Sequence, residues 1–304
     1  MMRPMADVMT VTGPVAAADL GVTLPHEHVF LDLTREYRGN GLLNDAALAE
    51  SELRRYVDAG GRTLVDVTTG GLNGDPVGLR AMSEATGLQI VRGAGYYRRA
   101  YFPPEVDELS TDALADVIVR DIEEGTDGVR AGIIGEIGCD RYVSALEERS
   151  FRAAARAHRR TGLTITTHAA RWPVGTAQLD LLVEEGVDPS RVVIGHCDMV
   201  PDHDYHLALV ARGAWIQFDT VQGVHEWDTQ QRLGWLRSLA DAGHLDRVLL
   251  SQDVCLRSDY AAMGGPGYAY VVTTFADRLK EAGFDEADVR RLLVDNPRRM
   301  LTGE

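Results

Sequence analysis

Residues 131–168, AGIIGEIGCDRYVSALEERSFRAAARAHRRTGLTITTH, carry one complete structural unit. Ala131–Ile137 is an apolar, strand-sized run. Glu147–Arg160 is an amphipathic helical stretch, Gly162 supplies its stop, and Leu163–His168 reads as the next strand. Strand, helix and strand in that order form a βαβ unit, whose two strands run parallel. Each strand also brings a side chain of a type able to ligate a metal to its carboxyl end, Glu136 on the first and His168 on the second.

The alternation continues in both directions. After an entry segment at Val8–Val15, strands are expected at Gly21–Leu31, Thr63–Thr68 and Gln89–Gly93 before this unit. Val192–His196, Ala214–Phe218 and Val248–Ser251 follow it. Helical stretches such as Ala46–Ala59, Thr111–Glu124 and Ala177–Glu185 lie between, and Gly60, Gly125, Gly186 and Gly243 serve as further stops. Eight strands with intervening helices predict α/β architecture in the form of one (β/α)8 TIM-type barrel over residues 1–304. The competitor is an open doubly wound sheet, but no Gly-rich dinucleotide fingerprint follows any strand, and Gly93-Ala94-Gly95 alone is weak evidence for one.

Composition narrows the function. At 304 residues and 45% hydrophobic content the chain can bury a large core. The net charge of −15 repels phosphate backbones and anionic membrane surfaces, so neither nucleic acid nor membrane is an expected partner. The longest apolar stretches are strand-sized, and Met1–Thr10 lacks the apolar run of a secretory signal. Cys139, Cys197 and Cys255 are too few for a disulfide framework and are expected to pack as small apolar groups. These features predict a cytoplasmic protein acting on a small molecule.

Functional residues of such a barrel sit at the carboxyl ends of its strands and in the loops that follow. Strand one carries His26-Glu27-His28, and a strand projects residues i and i+2 to the same side. Glu136, His168, His196 and Asp253 close strands four, five, six and eight. A lone His-x-His pair is weak evidence, because buried histidines satisfied by backbone groups are common. Four of the nine histidines at barrel-mouth positions, with two carboxylates, form a conjunction. Imidazole and carboxylate are ligands for zinc, manganese, iron or cobalt, and six such groups suit two divalent ions. The other five histidines receive structural or solvent-facing readings: His158 on an Arg-rich helix, His203 and His206 in a solvated loop and helix start, His225 in an exposed loop, His244 at a helix end.

These residues resemble the phosphotriesterase-related branch of the amidohydrolase superfamily. The landmarks are residues 21–28 (GVTLPHEH), 131–138 (AGIIGEIG), 193–198 (VIGHCD), 264–268 (GGPGY) and Asn296-Pro297, and the likeness covers essentially the whole chain. It implies a distorted barrel, a homodimer and a binuclear centre, usually of zinc, with manganese or cobalt as alternatives. Carried over by position, His26, His28 and Asp253 hold the buried ion, and His168 and His196 the exposed one. Many relatives bridge the ions with a carboxylated lysine on strand four. Glu136 stands there, as in the phosphotriesterase homology subgroup. Lys280, the only lysine, falls beyond strand eight and cannot reach the site.

The expected chemistry is attack by a hydroxide shared between the two ions on a carboxylic ester, lactone or amide, with Asp253 passing the proton to the leaving group. An organophosphate triesterase is the alternative, and a metal-bearing binding protein without turnover a third reading. Tyr97, Arg171 and Arg257 are the expected substrate contacts, Tyr96, Trp172 and Tyr268 narrow the pocket, and Arg257–Tyr268 is expected to form a mobile lid. At the position matching Thr220, the resemblance implies a proton-relaying histidine in phosphotriesterases and an arginine in lactonases. Threonine can do neither job, which favours a carbonyl substrate over a phosphotriester.

Overall fold

Eight strands lie side by side in sequence order: β1 (Thr23–Glu27), β2 (Thr63–Asp66), β3 (Gln89–Ala94), β4 (Ile133–Gly138), β5 (Ile165–His168), β6 (Val192–Ile194), β7 (Trp215–Phe218) and β8 (Val248–Leu250). Every neighbouring pair is parallel. This computed structural model of the protein describes residues 7–304. Among the described residues no backbone ladder joins β8 to β1, so the barrel is nearly closed, with a seam between its first and last strands.

Alternation along the strands sorts side chains into two layers. Val65, Val67, Val91, Ile133, Val193, Trp215 and Leu249 fill the barrel interior, and Val8, Leu20, Met300 and Leu301 close its floor. Leu64, Ile90, Ile134, Ile165, Ile194, Ile216 and Leu250 face outward into the larger core beneath the helices. Those helices include α1 (Ala46–Asp58), α2 (Pro76–Thr86), α3 (Thr111–Glu123), α4 (Ala145–Thr161), α5 (Gly175–Glu184), α6 (His203–Ala211) and α7 (Glu226–Asp241). α4 shows why the chain turns where it does. Glu147 accepts hydrogen bonds from the Ser144 N–H and hydroxyl at its start, and Gly162 ends it in the left-handed region at φ 74°.

The N-terminal segment forms an antiparallel hairpin, Asp7–Thr10 with Gly13–Ala16. The first barrel strand is shorter than expected. It stops at Glu27, and Leu31–Asp32 leaves the barrel to pair with Leu42–Leu43. Among the described residues no helix is long and apolar enough to cross a membrane.

Candidate metal centre

Four imidazoles converge above the barrel interior, each turning one nitrogen inward. His26 Nε2, His168 Nδ1 and His196 Nε2 stand 3.3, 3.2 and 3.7 Å from Glu136 Oε2, and His28 Nε2 stands 3.6 Å from its Oε1. Asp253 Oδ1 lies 3.3 Å from His28 Nε2 and 3.7 Å from His26 Nε2. The six residues fall into two sets, with Glu136 of the second also 3.3 and 3.6 Å from His26 and His28 of the first. His26, His28 and Asp253 form one, and Glu136, His168 and His196 the other.

The outward nitrogens are held as well. His28 Nδ1 meets Thr68 Oγ1 at 2.8 Å, and the Thr68 N–H donates to Asp66. His168 Nε2 lies 3.3 Å from the Tyr97 hydroxyl. His196 Nδ1 contacts Asp219 Oδ1 at 2.8 Å, and the His196 backbone N–H donates to the same carboxylate. Asp219 Oδ2 also faces His26 Nδ1 at 3.4 Å. Locking the second nitrogen fixes the tautomer and ring plane of a metal-ligating histidine.

Three tests show that these residues suit divalent ions. Two donors bound tetrahedrally to one zinc at about 2.0–2.1 Å stand about 3.3–3.4 Å apart; the separations above, 3.2–3.7 Å, lie within a few tenths of that, and His168 Nδ1 and His196 Nε2 stand closer, at 2.8 Å. Both ring nitrogens of fully buried His26 lack a hydrogen-bond partner, an arrangement that costs free energy unless something else engages them. Glu136, Asp219 and Asp253 meet imidazoles as their only ion-pair partners among the described residues. Burial opposes charging His26, yet Asp219, Glu136 and Asp253 outweigh it and lift its pKa to about 9. Burial likewise pushes the Glu136 carboxyl upward, but His26, His168 and His196 hold it well below the carboxylate range. The three carboxylates thus draw positive charge into the centre, which divalent ions would supply with the imidazoles neutral.

The site opens into a cavity of about 510 Å³. Tyr97, Arg171 and Trp172 line it with Leu31, Leu33, Leu72 and Met199. Arg257 does not, although its neighbours Cys255 and Leu256 do. It stands at the start of a 3-10 turn that carries it off the wall. Tyr96 instead lines a separate cavity of about 460 Å³ against α2 and α3, because successive residues leave β3 on opposite sides. Tyr268 is fully buried and donates its hydroxyl to the His28 carbonyl.

The stretch expected to form a lid is hydrogen-bonded at several points. Asp259 accepts the Cys255 and Leu256 N–H groups, buried Glu52 accepts those of Ala261 and Ala262, and Gln252 donates to the Gly267 carbonyl. Arg98 is no free cation either, since Glu36 and Asp140 pair with it. His206, expected in a solvated region, is fully buried, and its Nε2 contacts the Cys197 carbonyl at 2.7 Å just after His196. Cys139 and Cys197 are buried free thiols, and Cys255 is half-buried on the cavity wall.

Asp219 escaped the sequence reading although it follows β7 as Glu136 and His168 close their strands. A single aspartate there carries no signal until the fold sets it between His26 and His196. Thr220 beside it is committed. Its hydroxyl donates to Asp198 at 2.7 Å and accepts from Arg232 at 2.9 Å, while Arg232 Nε pairs with Asp198 at 2.7 Å.

Comparison with known proteins places this arrangement. The Phosphotriesterase family model matches residues 6–301. The phosphotriesterase homology protein of Escherichia coli K12 is 39% identical over 282 residues, covering 91% of this chain and 96% of its own. Its crystal structure, with phosphate in the active site, superposes with a TM-score of 0.89 over 93% of this chain and 99% of that one. An N-acetyltaurine hydrolase of Dictyostelium discoideum is 32% identical over 275 residues, covering 86% of this chain and 74% of its own. A lactonase from Listeria monocytogenes, 28% identical, superposes with a TM-score of 0.91 over 98% of this chain and 100% of that one. With a full-length family match and this ligand arrangement together, the chain belongs to the phosphotriesterase family.

Proposed function

We propose that this protein is a metal-dependent hydrolase that cleaves a carboxylic amide, ester or lactone, with N-acyl compounds as the favoured class. The carrying observation is the convergence of four imidazoles on Glu136, with the second nitrogen of His28, His168 and His196 held by Thr68, Tyr97 and Asp219 and that of His26 facing Asp219. His26, His28 and Asp253 would hold one ion, His168 and His196 the other, and Glu136 both. Bound there, two divalent ions, zinc foremost, would supply Lewis acidity and lower the pKa of a bound water toward neutrality.

The chain's own residues do the rest. Asp253 stays ionised: burial opposes this, but His28, His196 and His26 bring its pKa down to about 2. Its carboxylate receives the proton of the attacking water and delivers it to the departing nitrogen or oxygen. Tyr97 keeps the His168 ring in place, and the apolar wall of Leu31, Leu33 and Leu72 takes the acyl group. Arg171 lines the same cavity without an ion-pair partner among the described residues, at a backbone φ of 66° that non-glycine residues seldom adopt. It offers a cation to an anionic tail, which agrees with the relative named for N-acetyltaurine.

Thr220 has no group that titrates near neutrality, and its hydroxyl is engaged by Asp198 and Arg232, so this position cannot relay protons in triester hydrolysis. The test compares kcat/KM for N-acyl amino acids and N-acyl aminosulfonates, esters, lactones and a phosphotriester on one metal-loaded preparation. Carbonyl substrates are expected to lead by orders of magnitude, and a phosphotriester in first place would sink the assignment. Light scattering of the same preparation tests the homodimer that the family resemblance implies.

A further inference from the structure

We infer that Glu27 is a positioning residue that sets Asp253, and with it the His26, His28 and Asp253 ligand set, across the seam of the barrel. The inference rests on the metal-centre reading above.

The problem it solves is topological. The three ligands of this set come from β1 and β8, the two strands that share no backbone ladder. Elsewhere in the sheet, main-chain hydrogen bonds fix where one strand end stands relative to the next. At the seam that work falls to side chains.

Strand alternation sends His26 and His28 toward the metal centre and Glu27 the other way. The Glu27 side chain is fully buried. Its Oε1 accepts the Ser251 hydroxyl at 2.7 Å and the Gln252 N–H at 2.8 Å, and its Oε2 accepts the Val254 N–H at 2.8 Å. The Ser251 oxygen in turn accepts the His26 N–H at 3.1 Å, which returns the network to β1. One carboxylate therefore grips the backbone immediately before and immediately after Asp253.

Asp253 needs such a grip. Its φ of 53° lies in the left-handed region, which persists in a non-glycine residue when its surroundings over-determine it. Among the described residues Glu27 has no cationic partner, and a carboxylate buried without one is costly when an apolar side chain could fill the same space. Three donors from the strand-eight turn, all directed at Glu27, reduce that cost and account for an acid at this position.

Cobalt(II) titration of the whole protein, followed by visible absorption and elemental analysis, tests the inference on Glu27→Gln. Glutamine keeps the volume and one acceptor oxygen but turns an N–H toward a backbone N–H donor. The ion of the His26, His28 and Asp253 set is expected to bind about 10–100-fold more weakly, while the His168 and His196 ion changes only a few-fold. Glu27→Asp, which keeps both acceptors on a shorter arm, is expected to recover part of the loss. Ser251→Ala, which removes one bond to Glu27 and the link to His26, is expected to weaken the same ion by a smaller factor. Should Glu27→Gln fail to fold, the other two variants decide.

Equal weakening of both ions, or unchanged affinity for both with a lower Tm, would make Glu27 a purely structural residue and overturn the inference. A wild-type protein that takes up two cobalt ions beside indifferent variants would overturn this inference alone. A wild-type protein that takes up none would overturn the metal-centre reading along with it.

Discussion

Asp219 is the residue whose removal should be felt at both ions, because it contacts His196 at 2.8 Å and faces His26 at 3.4 Å. Asp219→Asn keeps the shape but offers one acceptor where two are in use. Metal affinity is expected to drop about 10–100-fold at both subsets, measured by competition with a chromogenic chelator. A loss confined to one ion would show that only one of the two contacts matters. Asp259 offers a separate test through pH. Burial pushes its carboxyl up to about 6, against the pull of the Leu256 and Cys255 N–H groups. A folded value above the unfolded one, about 4, means that stability is greatest with Asp259 protonated and is lost as pH rises through about 4–6. Asp259→Asn should flatten that part of the Tm-against-pH curve, and an unchanged slope would remove Asp259 as its source.

At the scale of elements, two glycines separate backbone conformation from crowding. Gly162 ends α4 at φ 74°, and a Cβ added there meets nothing within 4 Å. Gly162→Ala should cost about 1 kcal/mol, through left-handed strain alone. Gly93 carries no positive φ, but a Cβ on it would stand 2.0 Å from the Gly135 carbonyl oxygen, on the neighbouring strand next to Glu136. Backbone cannot rotate aside as a side chain can, so β3 and β4 must separate. Gly93→Ala should therefore lower Tm by several degrees more than Gly162→Ala, and similar melting curves for the two would contradict this reading. The turn after β8 makes a related point, since a Gly-rich stretch is mobile only where nothing holds its backbone. Here Glu52, Asp259 and Gln252 hold it from three sides.

For the molecule as a whole, the proposed metal centre and the barrel would stabilise each other. The candidate ligands are spread over the ends of β1, β4, β5, β6 and β8, so ions bound there would tie together strand ends that only the folded barrel brings near one another. An ion present at 100 times its Kd adds about 2.7 kcal/mol to folding, roughly 4 °C in Tm for a chain of this size. Chelation is expected to abolish activity and lower Tm by about that amount for each ion removed, and zinc should restore both. A stripped protein that melts with the loaded one would show that the ions are not coupled to the fold.

What residue order alone determined was the set of local patterns: apolar runs at strand length, glycines at helix ends, and a ligand-type residue closing five of the eight strands. Those signals survive without coordinates because a strand's two-residue period and a helix stop are properties of adjacent residues. The barrel follows from them because parallel strands alternating with helices have few ways to pack. Tertiary structure alone decided which neighbours a residue meets. It set Asp219 against two histidines, turned Tyr96 into a different cavity from Tyr97, carried Arg257 off the wall and buried His206. It also left the seam that Glu27 spans, 224 to 227 positions away in the chain from its partners. Contacts over such separations leave no periodic trace in a sequence, because they depend on how the nearly closed barrel brings its first and last strands together.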